Sequence, residues 1–146
     1  MKFSLVPCDQ GGNPIPPVPD MSAVLVANCQ ATADLYRRVG FAPPWIGYVA
    51  VADGQGVGGG AFVGPPKDGY VEIAYFTLDN EQRKGFASQT ALSLVAIARA
   101  HNPSIGLKAF TLKEENASTK ILRSVGFSIF GVAQDDDAGE VWEWRA

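Results

Sequence analysis

The sequence predicts an α/β fold, one domain over residues 1–146 built on a mixed, mostly antiparallel sheet flanked by helices. Three observations carry this prediction. A chain of 146 residues fits a single domain and buries roughly two-thirds of its unfolded surface, enough for a core without disulfide or metal staples. The first half holds β-rich segments joined by short glycine-rich turns, which is how antiparallel hairpins read. The second half alternates strand, helix, strand and helix, which implies a parallel strand pair with a right-handed crossover.

The elements follow in order. A short first strand precedes the loop Gly11–Pro19, whose prolines lack amide donors and restrict their neighbours. Met21–Val39, rich in Ala, Val and Leu, is a helix that ends at Gly40 with Arg37 and Arg38 beside its last carbonyls. Trp45–Ala52 and Val57–Val63 are strands joined through Asp53-Gly54-Gln55-Gly56, and the run Gly58-Gly59-Gly60 marks a bulge or a close backbone approach. After the turn Gly64–Gly69 comes a third strand, Tyr70–Leu78. Gly85–Ala100 is a long helix with Phe86, Ala87, Ala91, Leu94, Val95 and Ala98 at helical spacing, stopped by His101-Asn102-Pro103. Leu107–Leu112 is a strand and Ser118–Val125 a helix ended by Gly126. Phe127–Val132 and Glu140–Trp144 form a closing hairpin around Asp135–Gly139. Tyr36–Phe41 and Leu122–Phe127 resemble each other as two helix ends of one design, a glycine turning left-handed and a Phe packing back.

Composition narrows the function. Hydrophobic residues make up 47% and charged residues 18%, which is globular rather than disordered. A net charge of −3 does not suit a nucleic-acid-coating protein, whose affinity comes from clustered Lys and Arg, and leaves room for a cationic substrate. Cys8 and Cys29 have no disulfide-framework or metal-site spacing and read as reduced thiols of a cytoplasmic protein. The start Met1–Pro7 is broken too soon for a signal-peptide core, and no apolar run nears the about 20 residues that span a bilayer.

Chemistry concentrates in Leu78–Ser88, between the third strand and the long helix. Gln82, Gly85 and Ala87 are spaced Q-x-x-G-x-A. A helix start exposes amide groups with no internal partner, and the helix dipole adds to them, so this is an anion site. Gly85 and Ala87 let a phosphate approach the backbone, and Arg83 and Lys84 add positive charge. Gly85 is read here as the first helical residue, where a branched side chain would cost the helix little. The loop has neither the glycines of a dinucleotide-binding fingerprint nor the Gly-Lys-Ser/Thr of a Walker loop. A basic helix start without function is the plain alternative.

The strand Glu72-Ile73-Ala74-Tyr75-Phe76-Thr77-Leu78, this loop, its helix, and Asn116–Phe127 together resemble the GNAT superfamily of N-acetyltransferases, with a pattern similar to its RimJ/RimL-like branch. The resemblance covers residues 71 to 127 and implies an acetyltransferase that uses acetyl-CoA as co-substrate, without a metal. It places the pyrophosphate on the amides of Gln82, Arg83, Lys84, Gly85, Phe86, Ala87 and Ser88. It places the pantetheine along the backbone of Phe76, Thr77 and Leu78, in a gap where the parallel strands splay apart. Three positions depart from the family pattern. Arg83 stands where a glycine is frequent, tolerable if its side chain points outward. Ser118 is in register with a family serine, but Glu115 holds the register of the family asparagine, and Asn116, the candidate for that CoA contact, is one residue too close. Leu122 stands where many relatives have a tyrosine that protonates the leaving thiolate.

The implied reaction is direct attack of an amine on the thioester, with a backbone amide near Phe76–Leu78 as oxyanion donor. Glu72 is the candidate base, directly or through water, since a half-buried carboxylate has a raised pKa; an exposed strand glutamate is its alternative. Ser118 is the candidate to orient or protonate the thiolate, against an ordinary N-cap. His101 reads as a surface helix end, Asp135–Asp137 as a solvated hairpin tip, and Trp142 and Trp144 as core. The partner is an amine, small molecule or protein, with no nucleic acid and no membrane, and a homodimer stays open. A CoA-binding or ligand-binding module without catalysis is the second function class that fold alone does not separate.

Overall fold

The structure, a computed structural model, describes residues 2–146, so Met1 lies outside it. Seven strands form one sheet in the order β1-β2-β3-β4-β5-β7-β6: β1 (Phe3–Pro7), β2 (Gly47–Ala52), β3 (Gln55–Phe62), β4 (Tyr70–Thr77), β5 (Gly106–Leu112), β6 (Ser128–Asp135) and β7 (Gly139–Arg145). Every neighbouring pair is antiparallel except β4 and β5. Among the described residues three α-helices complete the fold, α1 (Ala23–Val39), α2 (Phe86–His101) and α3 (Ala117–Ser124), with one 3-10 turn at Asp79–Glu81. The expected element order holds throughout, with ends displaced by a few residues. The closing hairpin is the largest shift, its strands running on to Asp135 and from Gly139.

The triple glycine explains how helices reach both faces. Val57 is bulged, because Ala50 faces Gly58 while Val51 faces Gly56. A Cβ on Gly59 would lie 2.8 Å from the Phe76 ring and 3.0 Å from Asn28 of α1, and one on Gly60 would lie 2.7 Å from Thr90 of α2. Successive residues of a strand point to opposite faces. Hence α1 packs on one face of the sheet and α2 on the other, each tight against β3.

The core follows the α2 side. Thr90, Ala91, Leu94 and Ala98 of α2 are at most 1% exposed, and Phe62, Leu107 and Trp144 are fully buried. Ala87 does not join them and faces the cleft described below. Trp142 lies edge-on to Trp144, with ring centroids 6.2 Å apart. The two helix ends of the Gly-Phe pattern share a positive φ, 90° at Gly40 and 100° at Gly126, but Gly40 has ψ of 168° and is extended rather than left-handed helical; the Phe127 amide donates back to the Leu122 carbonyl. Asp135 Oδ2 accepts from the Asp137 and Ala138 amides and closes the hairpin tip. His101 is exposed at the end of α2, edge-on to Trp45, and Cys8 and Cys29 are buried free thiols. Among the described residues no helix is long and apolar enough to cross a membrane.

Candidate active site

The parallel pair is short. β4 and β5 join only through Tyr70–Glu72 and Gly106–Lys108. Beyond these pairs the two strands part, although β4 runs on to Thr77 and β5 to Leu112. A cleft opens in the gap. One part, about 270 Å³, lies between Glu72–Tyr75 and Ala109–Leu112, with Ser118 and Leu122 of α3 across it. The other, about 680 Å³, runs from Tyr75–Thr77 past Gln82, Arg83 and Gly85 to the start of α2.

The strand edge facing this gap is set by alternation. In an antiparallel pair, each residue's N–H and C=O point to the same side, and successive residues alternate. The Glu72 carbonyl accepts from Val63, and the Leu78 amide donates to the Val57 carbonyl, both on the β3 side. Even-numbered residues of β4 are therefore bonded toward β3, while Ile73, Tyr75 and Thr77 present their backbone to the gap. This corrects the expectation for Phe76 and Leu78: Phe76 and the Leu78 amide are bonded to β3, and the Leu78 carbonyl accepts from the Glu81 amide. Of that trio only Thr77 is available, and Tyr75 joins it.

The loop into α2 leaves backbone amides free. Arg83 and Gly85 both adopt left-handed backbone, with φ of 67° and 84°. Arg83 takes a conformation that costs a residue with a Cβ some strain, and its side chain is exposed as expected. Gly85 precedes the helix instead of opening it, and no side chain caps the helix. The first bond back is from Gln89 N to Gly85 O, so the amides of Phe86, Ala87 and Ser88 have no acceptor within the helix. Lys84 is absent from the cleft wall; its ammonium pairs with Glu81 at 3.2 Å. Gln82 Nε2 donates to the Thr77 carbonyl and tethers the loop to the strand end.

Two hydroxyls on the cleft side of β4 lack partners. Tyr75 Oη and Thr77 Oγ1 are buried and make no hydrogen bond. An orphaned hydroxyl is unfavourable in a folded chain, and two of them beside unpaired strand amides suit a ligand rich in polar groups along its length. Free amides at the helix start, an open strand edge and unpartnered hydroxyls are together what a phosphate-bearing chain such as CoA requires. Tyr75 entered the sequence reading only as a pattern residue, because alternation along β4 does not say which residues bond toward β3.

The remaining candidates divide. Glu72 is half-buried, and burial raises its pKa, partly offset by Lys108. Ser118 lines both parts of the cleft. It is not an N-cap, because Asn116 caps α3: its side chain accepts from the Thr119 amide while Thr119 Oγ1 accepts from the Asn116 amide. Asn116 thus lines the smaller part of the cleft with its side-chain oxygen already committed. Among the described residues no three His, Cys, Asp or Glu side chains could hold a metal ion.

No protein-family model and no curated protein matches the sequence. Solved structures do. RimL, a ribosomal L7/L12 alpha-N-protein acetyltransferase, in complex with coenzyme A is 17% identical, matched over 100% of this chain and 94% of its own, with a TM-score of 0.71. An acetyltransferase (GNAT family) from Bacillus anthracis is 14% identical over 68% of this chain and 64% of its own, TM-score 0.59. Microcin C7 self immunity acetyltransferase MccE, in complex with acetyl-CoA and AMP, is 13% identical over 85% and 70%, TM-score 0.66. The fold is the GNAT fold. Within it, the departures at 115 and 122 have local explanations. Glu115 accepts from Thr119 Oγ1 at 2.9 Å and Arg123 at 2.5 Å, a brace for α3. Leu122 is 1% exposed and part of the core.

Proposed function

We propose that the protein is an acyl-CoA-dependent N-acyltransferase, moving an acetyl group from acetyl-CoA to a primary amine. The observation that carries this reading is one continuous cleft. Its larger end holds free helix-start amides, its middle an unpaired strand edge with orphaned hydroxyls, and its smaller end a half-buried carboxylate. The order matches what an acyl-CoA offers, from phosphates through amides to a thioester. The structures of similar fold that hold coenzyme A or acetyl-CoA support the same ligand.

Bound acetyl-CoA would supply the activated acyl group. The amides of residues 86–88, with Arg83 and Gln82 nearby, hold the pyrophosphate. Tyr75 and Thr77 receive the pantetheine amides on the free edge of β4, as a strand edge receives a peptide. A Tyr75 or Thr77 amide serves as the oxyanion donor, since Phe76 and Leu78 are bonded elsewhere. Glu72 takes the proton from the amine, directly or through water; its raised pKa brings it nearer the basicity that task needs. Ser118 stands where the two parts meet and orients the sulfur.

The test is a screen for CoA release from acetyl-CoA across small amines, amino acids and peptides with free N-termini, beside calorimetric titration with CoA. Turnover with at least one amine supports the reading. CoA binding without turnover points to a ligand-binding module, and absence of both removes the cofactor assignment.

A further inference from the structure

Among the described residues only Tyr75 of β4 and Ser118 of α3 line both parts of the cleft. Their junction lies between the phosphate-ready loop and Glu72. A donor's sulfur has to stand there if its acyl carbon is to meet an amine beside Glu72. The Tyr75 hydroxyl is buried and has no hydrogen-bond partner, so a small turn of the ring toward the cleft that the residue lines would give it one in the occupant. Leu122, the position at which the family resemblance would supply a phenol, lines the smaller part of the same cleft and brings no polar group. The phenol here comes instead from the strand wall.

We infer that Tyr75 donates a hydrogen bond to the sulfur of the acyl donor and to the thiolate formed as the donor is consumed. This rests on the acyltransferase reading. As the amine nitrogen forms its bond to the carbonyl carbon, the carbon–sulfur pair stays on sulfur and the nitrogen's proton passes to Glu72. Tyr75 keeps its own proton throughout. Burial pushes its phenol up to about 12, well above an ordinary thiol near about 8.5, so a proton shared between oxygen and sulfur rests on oxygen. Tyr75 is therefore a donor that stabilises negative sulfur, and it needs no reprotonation between turnovers.

The test is Tyr75→Phe, titrated with CoA and with desulfo-CoA, which lacks the sulfur. The wild type is expected to prefer CoA, with a preference that grows as pH rises and the thiol ionises, reaching about tenfold, the strength of a hydrogen bond to a charged group. Tyr75→Phe is expected to bind both ligands alike at every pH. It should melt no lower than the wild type, because the lost hydroxyl had no partner. Its kcat should fall about tenfold with little change in KM for acetyl-CoA. Absence of CoA binding in the wild type overturns the acyltransferase reading itself. A Tyr75→Phe protein that keeps the sulfur preference overturns only the Tyr75 assignment. A variant that loses several degrees of melting temperature also overturns it, by showing that the hydroxyl has a structural partner.

Discussion

Gly85 can be tested against a matched control in the same chain. It has φ of 84°, and a Cβ built there would meet no atom within 4 Å. Gly54, in the turn between β2 and β3, has the same φ and the same empty surroundings, but does not line the cleft. Alanine at either position must hold a left-handed backbone, at about 1–2 kcal/mol, less a few tenths returned by the stiffer unfolded chain. Each should lower the melting temperature by about 3 °C. Only Gly85→Ala adds a methyl where the phosphates would meet the amides of Phe86–Ser88. A hydrogen bond to a charged group is worth about 1.5–3 kcal/mol, so losing one weakens CoA binding about tenfold or more. Valine is a poor probe, because the expectation that it costs little assumed a helical residue, and a β-branched side chain at this φ is strongly strained. Calorimetric CoA titration with thermal melts of both alanine variants decides the matter. Equal CoA affinity in Gly85→Ala and Gly54→Ala would refute the phosphate-loop argument.

Three further perturbations probe the rest of the cleft. Glu72→Gln should lower kcat several-fold to about a hundredfold with CoA affinity little changed. The wild-type acid limb should lie above an ordinary glutamate's, since burial raises this pKa, and the limb should vanish in the variant. The native state holds the Glu72 proton to higher pH than the unfolded state, so this group's contribution to stability falls as pH rises through that window. Glu72→Gln should thus melt no lower than the wild type at neutral pH. Leu122→Tyr should lose about 1–3 kcal/mol on denaturant titration, because Leu122 is 1% exposed in the core. Undiminished stability would show instead that the site has room for a phenol. Gly60→Ala places a methyl 2.7 Å from Thr90 and 3.1 Å from Leu94, and should reduce stability by a similar amount on thermal melting while weakening CoA binding through the displaced start of α2.

Much of this architecture was legible because short-range rules decide it. Gly40 and Gly126 end helices since only glycine takes φ of 90° and 100° without strain, and the Asp53-Gly54 turn fixes the β2–β3 hairpin. The turn into α2 was legible for the same reason: a glycine and a small residue at a helix start. The backbone partners of β4 were not. Which of its amides are free depends on β3 bonding through even-numbered residues, a long-range register that no local signal within β4 fixes. The cap of α3 was open between two polar residues, Asn116 and Ser118, two positions apart. Asn116 wins over Ser118 because Thr119 stands three residues on and returns the bond.

Register also divides the chemistry between the faces of the sheet. Phe76 shares its face with Gly59, against α1, and Tyr75 shares its face with Gly60, against α2. By alternation Glu72 lies on the α1 face, while Tyr75 and Thr77 lie on the α2 face with the loop and helix start. In a continuous sheet these groups could not serve one reaction, because the backbone would separate the base from the donor's sulfur. The parting of β4 and β5 after Glu72 and Lys108 removes that barrier. Under the proposed reaction the acyl donor enters along the α2 face, the amine approaches past Glu72 from the α1 face, and the two meet in the gap. The length of the β4–β5 ladder is then a functional quantity. Ladder bonds extended to residues 73 and 109 would close the gap beside Glu72 and abolish transfer while leaving the phosphate site intact.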